Sequence, residues 1–176
     1  ANHYTPFEDH ELDQSISERF EKQVLVHADR LAIRSLERSF TYDGLNRAAN
    51  RLARTILSMR GAGAEAVALL FEHGADAPAA MLATLKAGKF YLVLDPTYPP
   101  DRLSCMLADS GAGLVVTDTK NLPLLAQLTR SELPAVNVDG LDESLSCDNL
   151  DVRPSPDALA MLLYTSGSTG SPKGVM

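Results

Sequence analysis

The sequence predicts an α/β fold, with a mostly parallel sheet and helices on both of its faces. From residue 67 to residue 138, apolar runs of four or five residues alternate with single segments long enough to form helices. The apolar runs lack the in-out alternation of a half-exposed strand. Such continuous apolar strands, separated by helices, are typical of parallel sheets that are covered on both faces.

The residues before this repeat predict two helices with a strand between them. Residues 15–27 carry an apolar stripe, and Ser15 and Glu18 have capping-box spacing. A strand is predicted over residues 31–36, followed by a turn at Glu37 and Arg38. A long amphipathic helix then begins at Thr41 or Asp43, and glycines between residues 61 and 63 end it.

Glycines and prolines mark the ends of the predicted helices in the alternating region. Gly88 stops an Ala-rich helix, while Pro99 and Pro100 suit the first turn of a helix that ends before Gly111. A polar, acidic stretch over residues 139–156 is predicted to be a surface excursion before a final buried strand. The predicted strands cover residues 67–71, 90–94, 114–117, 135–138 and 160–164, and the predicted helices cover residues 78–87, 99–110 and 122–128.

Composition bounds the class of protein. The chain has 176 residues, 45% of them hydrophobic, and a formal net charge of −7. That charge argues against nucleic acid or an anionic membrane as a partner. There is no secretory signal and no apolar run near the roughly 18 residues that a membrane span needs, so a cytoplasmic protein is expected. A disulfide between Cys105 and Cys147 is an open alternative, but we expect both cysteines to be reduced thiols.

The most informative segment follows the last predicted strand. Residues 164–174 read Tyr-Thr-Ser-Gly-Ser-Thr-Gly-Ser-Pro-Lys-Gly. The glycines let the backbone approach a ligand closely, the hydroxyls and successive amides can donate hydrogen bonds, and the lysine supplies a cation for a phosphate. The predicted phosphate-binding residues are Thr165, Ser166, Gly167, Ser168, Thr169, Gly170, Lys173 and Gly174.

Other interpretations of the glycine-rich segments fail on spacing or context. A Walker A loop counted from Gly167 would need its second glycine at Pro172, which has no amide hydrogen. Residues 61–66 match a relaxed dinucleotide fingerprint, but they follow a helix and precede a strand, which is the wrong order. A flexible Gly/Ser linker has no reason to follow an apolar strand directly or to end in Pro-Lys-Gly.

Residues 164–174 resemble the phosphate-binding signature of the adenylate-forming superfamily, which includes acyl-CoA synthetases, firefly-type luciferases and the adenylation domains of nonribosomal peptide synthetases. Residues 85–88, 92–103 and 106–111 resemble a core motif of the peptide-synthetase adenylation domains, and residues 40–46 resemble the early Thr-Tyr-x-x-Leu motif of the family. The resemblance implies that residues 1–176 are the N-terminal part of the large subdomain of an adenylation domain.

The resemblance also implies a reaction. An amino-acid carboxylate attacks ATP, pyrophosphate leaves with Mg²⁺, and the acyl group passes to the phosphopantetheine of a peptidyl carrier protein. No complete catalytic set is expected within these residues, because the family's remaining site residues lie in the rest of the adenylation domain. The chain alone is therefore expected to be inactive. Two alternatives stay open: an acyl-CoA or aryl-acid ligase of the same superfamily, and a non-catalytic scaffold with an adenylation-like fold.

Several other polar residues are predicted to have ordinary structural roles. Asp95 and Asp157 are read as turn residues. The basic stripe of the long helix, formed by Arg47, Arg51 and Arg54, is read as a solvated face and not as a docking site. No metal site is predicted, because none of the histidines at positions 3, 10, 27 and 73 has a cysteine or carboxylate partner at metal-binding spacing.

Overall fold

A computed structural model describes residues 8–129, 133–166 and 172–176. Its centre is a six-stranded sheet, beside a separate two-stranded sheet. The strands of the large sheet are, in spatial order, β6 (Ala135–Asn137), β5 (Leu114–Thr117), β3 (Ala66–Leu70), β4 (Phe90–Leu94), β7 (Met161–Ser166) and β8 (Pro172–Val175). Strands β3 to β7 pair in parallel, and only β8 runs antiparallel to its neighbour. The predicted fold class is therefore confirmed.

In the described part of the chain, the two-stranded sheet consists of β1 (Leu31–Arg34) and β2 (Ser39–Thr41). The helices are α1 (Ile16–His27), α2 (Tyr42–Arg60), α3 (Asp76–Lys86), α4 (Pro100–Ser110) and α5 (Leu122–Leu128), with short 3-10 turns at Asp9–Glu11 and Val138–Gly140.

Strand β3 shows why the strands read as continuous apolar runs. Its residues Val67 and Leu69 pack against α2 and α3. Ala66, Ala68 and Leu70 pack on the opposite face against α4 and α5. All five are buried, because a central strand with helices on both faces has no solvent side.

The predicted helix ends are confirmed where a specific cap forms. The Ser15 hydroxyl accepts a hydrogen bond from the Glu18 amide while the Glu18 carboxylate accepts one from the Ser15 amide. The Thr41 hydroxyl caps α2 by accepting from the Gly44 amide at 3.0 Å. Gly111 ends α4 in the left-handed conformation, with φ of 60°.

The final predicted strand lies where expected, but its predicted burial is wrong. Met161 and Leu163 of β7 are 37% and 52% exposed. β7 pairs with β4 near the sheet edge, and the helices α2 and α3 cover β3 and β5 on that face. An apolar run therefore indicated a buried strand, although the elements that would cover it are not among the described helices.

The prediction of a solvated arginine face is also wrong for two of its three members. The Arg51 Nε donates to the Leu145 carbonyl at 3.4 Å, and the Arg54 Nε and Nη2 donate to the carbonyls of Ser146 and Asp148 at 2.9 and 3.0 Å. Arg47 is exposed, as predicted. The arginines thus bind the backbone of the 139–156 segment.

The same segment reaches into the core. The fully buried Asn50 donates to the Cys147 carbonyl at 2.8 Å and to the Asn149 Oδ1 at 3.0 Å. Leu150 is buried in the cluster between the sheet and α2. The segment predicted as a surface excursion is therefore anchored along α2 before it leads into β7.

Candidate functional site

Strands β7 and β8 form an antiparallel pair at one edge of the sheet. Thr165 lies opposite Lys173, and Tyr164 lies opposite Gly174. Directly opposed residues in an antiparallel pair place their Cβ atoms about 5 Å apart on the same face. The pairing therefore places the side chains of Thr165 and Lys173 side by side on one face, although eight positions separate them in the sequence.

The predicted site residues divide into two groups. Thr165, Ser166, Lys173 and Gly174 belong to the two strands, and Thr165 and Lys173 are exposed. Within the described residues, Lys173 has no ion-pair partner. The other four predicted residues, Gly167, Ser168, Thr169 and Gly170, lie outside the described residues.

Alternation along the strands gives the paired strands two different faces. Met161, Leu163 and Thr165 share one face of β7, and Val175 and Lys173 of β8 lie opposite Leu163 and Thr165. This face is apolar near β4 and becomes polar toward residues 165 and 173. A cation and a hydroxyl at that end suit an anionic ligand.

The opposite face of the pair rests on α4. Tyr164 packs against the core cluster that includes Leu103, Met106 and Leu107 of α4. The Tyr164 hydroxyl donates to the Asp109 Oδ2 at 2.6 Å. Burial, together with this hydrogen bond to a carboxylate, raises the pKa of Tyr164 above its usual value.

The space beside Gly174 is narrow, so that a Cβ there would require the Leu162 side chain to shift slightly. A Cβ at position 174 would lie 3.1 Å from the Leu162 Cδ1 and 3.4 Å from the Tyr164 Cζ. The Leu162 and Tyr164 side chains therefore cover the glycine across the strand pair. A glycine chosen from the sequence as a backbone donor for phosphate also makes room for its neighbours.

A cavity of about 270 Å³ adjoins the root of the strand pair. It lies beside the carboxyl ends of β3 and β4 and the middle of β7, and Glu72, His73, Asp95, Leu163 and Tyr164 are among its lining residues. Ligand sites of open α/β sheets are found beyond the carboxyl ends of parallel strands. The cavity and the polar end of the strand pair therefore lie where a parallel sheet binds its ligands.

Asp95 has the turn role that the sequence predicts. Its Oδ1 accepts hydrogen bonds from the Thr97 amide at 2.9 Å and from the Thr97 hydroxyl at 2.8 Å. These hydrogen bonds lower the pKa of Asp95. Asp157 likewise lies in a turn, which the Ala158 amide closes on the Ser155 carbonyl at 3.0 Å.

Two other expectations concern cysteines and metals. Cys105 and Cys147 are both free thiols, as expected. Among residues 8–129, 133–166 and 172–176, no cluster of three or more histidines, cysteines or carboxylates could hold a metal ion. None of the described helices combines the length and the apolar character required to cross a bilayer.

Many nucleotide-binding proteins have a parallel α/β sheet that binds its ligand beyond the carboxyl ends of the strands, where this chain exposes Thr165 and Lys173. The family described as "AMP-binding enzyme" matches residues 20–176. The chain therefore belongs to the AMP-binding enzyme family.

Among the curated proteins that this chain resembles are peptide synthases. The chain is 43% identical to tyrocidine synthase 3 of Brevibacillus parabrevis over 169 residues, which cover 94% of this chain and 3% of the relative. It is 42% identical to surfactin synthase subunit 2 of Bacillus subtilis (strain 168), covering 77% of this chain and 4% of that protein. The chain thus spans only a small part of the relatives that it matches.

Solved structures agree with this comparison. The nonribosomal peptide synthetase FmoA3, in an α-methyl-L-serine-AMP bound form, has a TM-score of 0.81 and 30% identity, over 90% of this chain and 17% of that one. The N-terminal subdomain of NpsA from Klebsiella oxytoca shares the fold at 23% identity and a TM-score of 0.79, over 93% of this chain and 42% of that one.

The sequence alone does not indicate the contact of Tyr164 with Asp109. Tyr164 begins the glycine-rich segment, but no spacing rule links it to a carboxylate on α4, 55 positions earlier. Only the packing of β7 against α4 brings the two side chains together.

Proposed function

We propose that this chain is part of an enzyme that activates an amino acid with ATP for nonribosomal peptide synthesis. Residues 1–176 would form the N-terminal part of its adenylation domain. The observation that carries the proposal is the pairing of Thr165 with Lys173 at the exposed end of β7 and β8, in a chain of the AMP-binding enzyme family. The relatives named as peptide synthetases favour an amino acid over a fatty or aryl acid.

In the proposed reaction, the substrate carboxylate attacks the α-phosphorus of ATP and the bond to pyrophosphate breaks, which leaves an acyl-adenylate. Such chemistry depends mainly on positioning and on stabilising charge. Lys173 would bind the β- and γ-phosphates and stabilise the negative charge that builds on the leaving pyrophosphate. The Thr165 and Ser166 hydroxyls would donate hydrogen bonds to the same oxygens, together with Ser168 and Thr169.

The glycines have a complementary role in the proposal. Gly167, Gly170 and Gly174 would let the backbone approach the triphosphate and donate amide hydrogens to it. The Thr165 hydroxyl and the Lys173 ammonium suit phosphate oxygens. Mg²⁺, which prefers phosphate and water oxygens, would therefore enter with ATP and offset the charge of the pyrophosphate.

The remaining parts of the reaction involve groups outside the described residues. We propose that the rest of the adenylation domain supplies the adenine, ribose and amino-acid contacts. The acyl group would then pass to the phosphopantetheine thiol of a peptidyl carrier protein, in the cytoplasm.

The test is ATP–pyrophosphate exchange by the full-length protein that contains this chain, measured with a panel of amino, fatty and aryl acids. We expect exchange with an amino acid, and we expect Lys173→Ala to lower its kcat about 100-fold, as the loss of one charge-stabilising donor does in other enzymes. Lys22→Ala, which removes an exposed lysine from α1, is the matched control and should leave exchange unchanged.

Three outcomes would contradict the proposal. Exchange with only fatty or aryl acids would identify an acyl-CoA or aryl-acid ligase. Failure of the full-length protein to bind ATP would favour the non-catalytic scaffold. Equal rates of exchange by the Lys173→Ala and Lys22→Ala variants would show that Lys173 does not bind the phosphates.

A further inference from the structure

The strand pair that carries Thr165 and Lys173 is weakly attached to the rest of the sheet. Strand β7 pairs with β4 only at Met161 and Leu162, opposite Tyr91 and Leu92. From Leu163 onward, the described partner of β7 is β8. Sheet hydrogen bonds therefore hold the root of the strand pair, whereas Thr165 and Lys173 lie beyond it.

Tyr164 supplies a further attachment in the part of the pair that β4 does not hold. Its neighbour in sequence is Thr165, and its cross-strand partner Gly174 is the neighbour of Lys173. Its ring fills the space above Gly174, and its hydroxyl donates to the Asp109 Oδ2. Among the side-chain hydrogen bonds of the described residues, this one joins the strand pair to a helix.

The helix that accepts this hydrogen bond is itself firmly placed. Leu103, Met106 and Leu107 of α4 are buried against the sheet in the core cluster that also contains Leu92 and Leu94 of β4. Asp109 lies in the last turn of α4, two positions after Leu107. A contact with Asp109 therefore ties the strand pair to the same rigid layer that supports β4.

We infer that Tyr164 and Asp109 are positioning residues that fix the strand pair for binding the β- and γ-phosphates of ATP. This inference rests on the proposed function. Neither residue needs to touch the nucleotide. Without the hydrogen bond, the strand pair can pivot about Leu162, and the ammonium of Lys173 and the hydroxyl of Thr165 spend less time where the phosphates bind.

A positioning role for Tyr164 and Asp109 predicts different effects on ATP and AMP binding, whereas a general structural role predicts the same effect on both. ATP carries β- and γ-phosphates and AMP does not, so a misplaced strand pair weakens ATP binding and leaves AMP binding unchanged. Loss of one hydrogen bond to a partly exposed carboxylate should raise the Kd for ATP about fivefold. A change that disturbs the whole domain would weaken both nucleotides.

The experiment is isothermal titration calorimetry of the full-length protein with Mg·ATP and, separately, with AMP. Tyr164→Phe keeps the ring over Gly174 and removes the hydroxyl, and Asp109→Ala removes the acceptor. Each should raise the Kd for ATP about fivefold, and the double variant should do no more than either one. Asp109→Asn keeps an oxygen acceptor and should restore binding close to that of the unchanged protein.

Tyr42→Phe is the matched control, because it removes a hydroxyl from a tyrosine of α2 that stacks on Phe20 and does not line the cavity beside the strand pair. It should leave both Kd values unchanged. The inference is overturned if Tyr164→Phe matches this control, or if ATP and AMP weaken together. If the unchanged protein binds neither nucleotide, the proposed function fails and this inference fails with it. ATP binding with normal ATP–pyrophosphate exchange and no effect of Tyr164→Phe overturns the inference alone.

Discussion

Glu65 is predicted to stabilise the fold by neutralising a buried lysine at the start of the central strands. Its Oε1 lies 3.0 Å from the Nζ of Lys89, whose side chain is 1% exposed. Arg60 Nη2 and Nε donate to the same carboxylate at 2.9 and 3.1 Å, and these hydrogen bonds chiefly lower the pKa of Glu65. In Glu65→Gln, Lys89 keeps the Gly63 carbonyl at 3.1 Å but loses its counter-charge.

The magnitude follows from burial. Removing one partner of a fully buried ion pair costs about 3–5 kcal/mol, but the Glu65 side chain is 25% exposed, so we expect Glu65→Gln to lower the free energy of unfolding by about 2 kcal/mol. The control is Glu72→Gln at the other end of β3. Its partner Lys120 is 62% exposed, and exposed pairs contribute about 0–1 kcal/mol.

The assay is equilibrium urea unfolding at pH 7 of the unchanged protein, both single variants, Lys89→Met and the Glu65→Gln/Lys89→Met double variant. If the buried charge causes the loss, Glu65→Gln should cost less than about 0.5 kcal/mol once Lys89 is replaced by methionine, so that the double-mutant cycle shows coupling. Equal costs for Glu65→Gln and Glu72→Gln, or no coupling with Lys89→Met, would refute the reasoning.

Two further predictions concern stability. Asn50→Ala should lower the free energy of unfolding by about 2 kcal/mol, because it leaves the Cys147 carbonyl without its buried donor. Limited proteolysis of the variant should then cut the 139–156 segment first, and a cleavage pattern identical to that of the unchanged protein would contradict this. Asp95→Asn should lower the free energy of unfolding near neutral pH, because the lowered pKa of Asp95 stabilises the fold while its carboxyl is ionised. The difference in free energy from the unchanged protein should shrink as the pH falls below 3.8, the unperturbed pKa of the carboxyl. Urea unfolding at several pH values measures it, and a difference that is constant with pH would contradict it.

The fold was predictable where local rules act alone. The capping box at Ser15, the Thr41 cap, and the proline start and glycine end of α4 each depend on residues within one helical turn. The continuous apolar strands indicated helices on both faces because only that arrangement buries every side of a strand. Burial of β7 was not predictable, since an apolar run does not reveal which elements cover it.

The arginine stripe shows a similar limit. Spacing identified one basic face on α2, and a face of charged residues usually meets solvent. The backbone carbonyls that bind Arg51 and Arg54 belong to a segment more than 90 positions away. A sequence pattern within the helix contains no information about that segment, so the contact could not be predicted.

The sequence by itself determined the candidate ligand chemistry: glycines, hydroxyls and a lysine in one short segment can hold a phosphate in any fold that exposes them. Tertiary structure decided how Thr165 and Lys173 meet across two strands and which helix supports them. The chemistry of a side chain is a property of a single residue, so the sequence alone reveals it. The meeting of Tyr164 with Asp109 depends on where α4 and β7 pack, and that position results from the burial of the whole core.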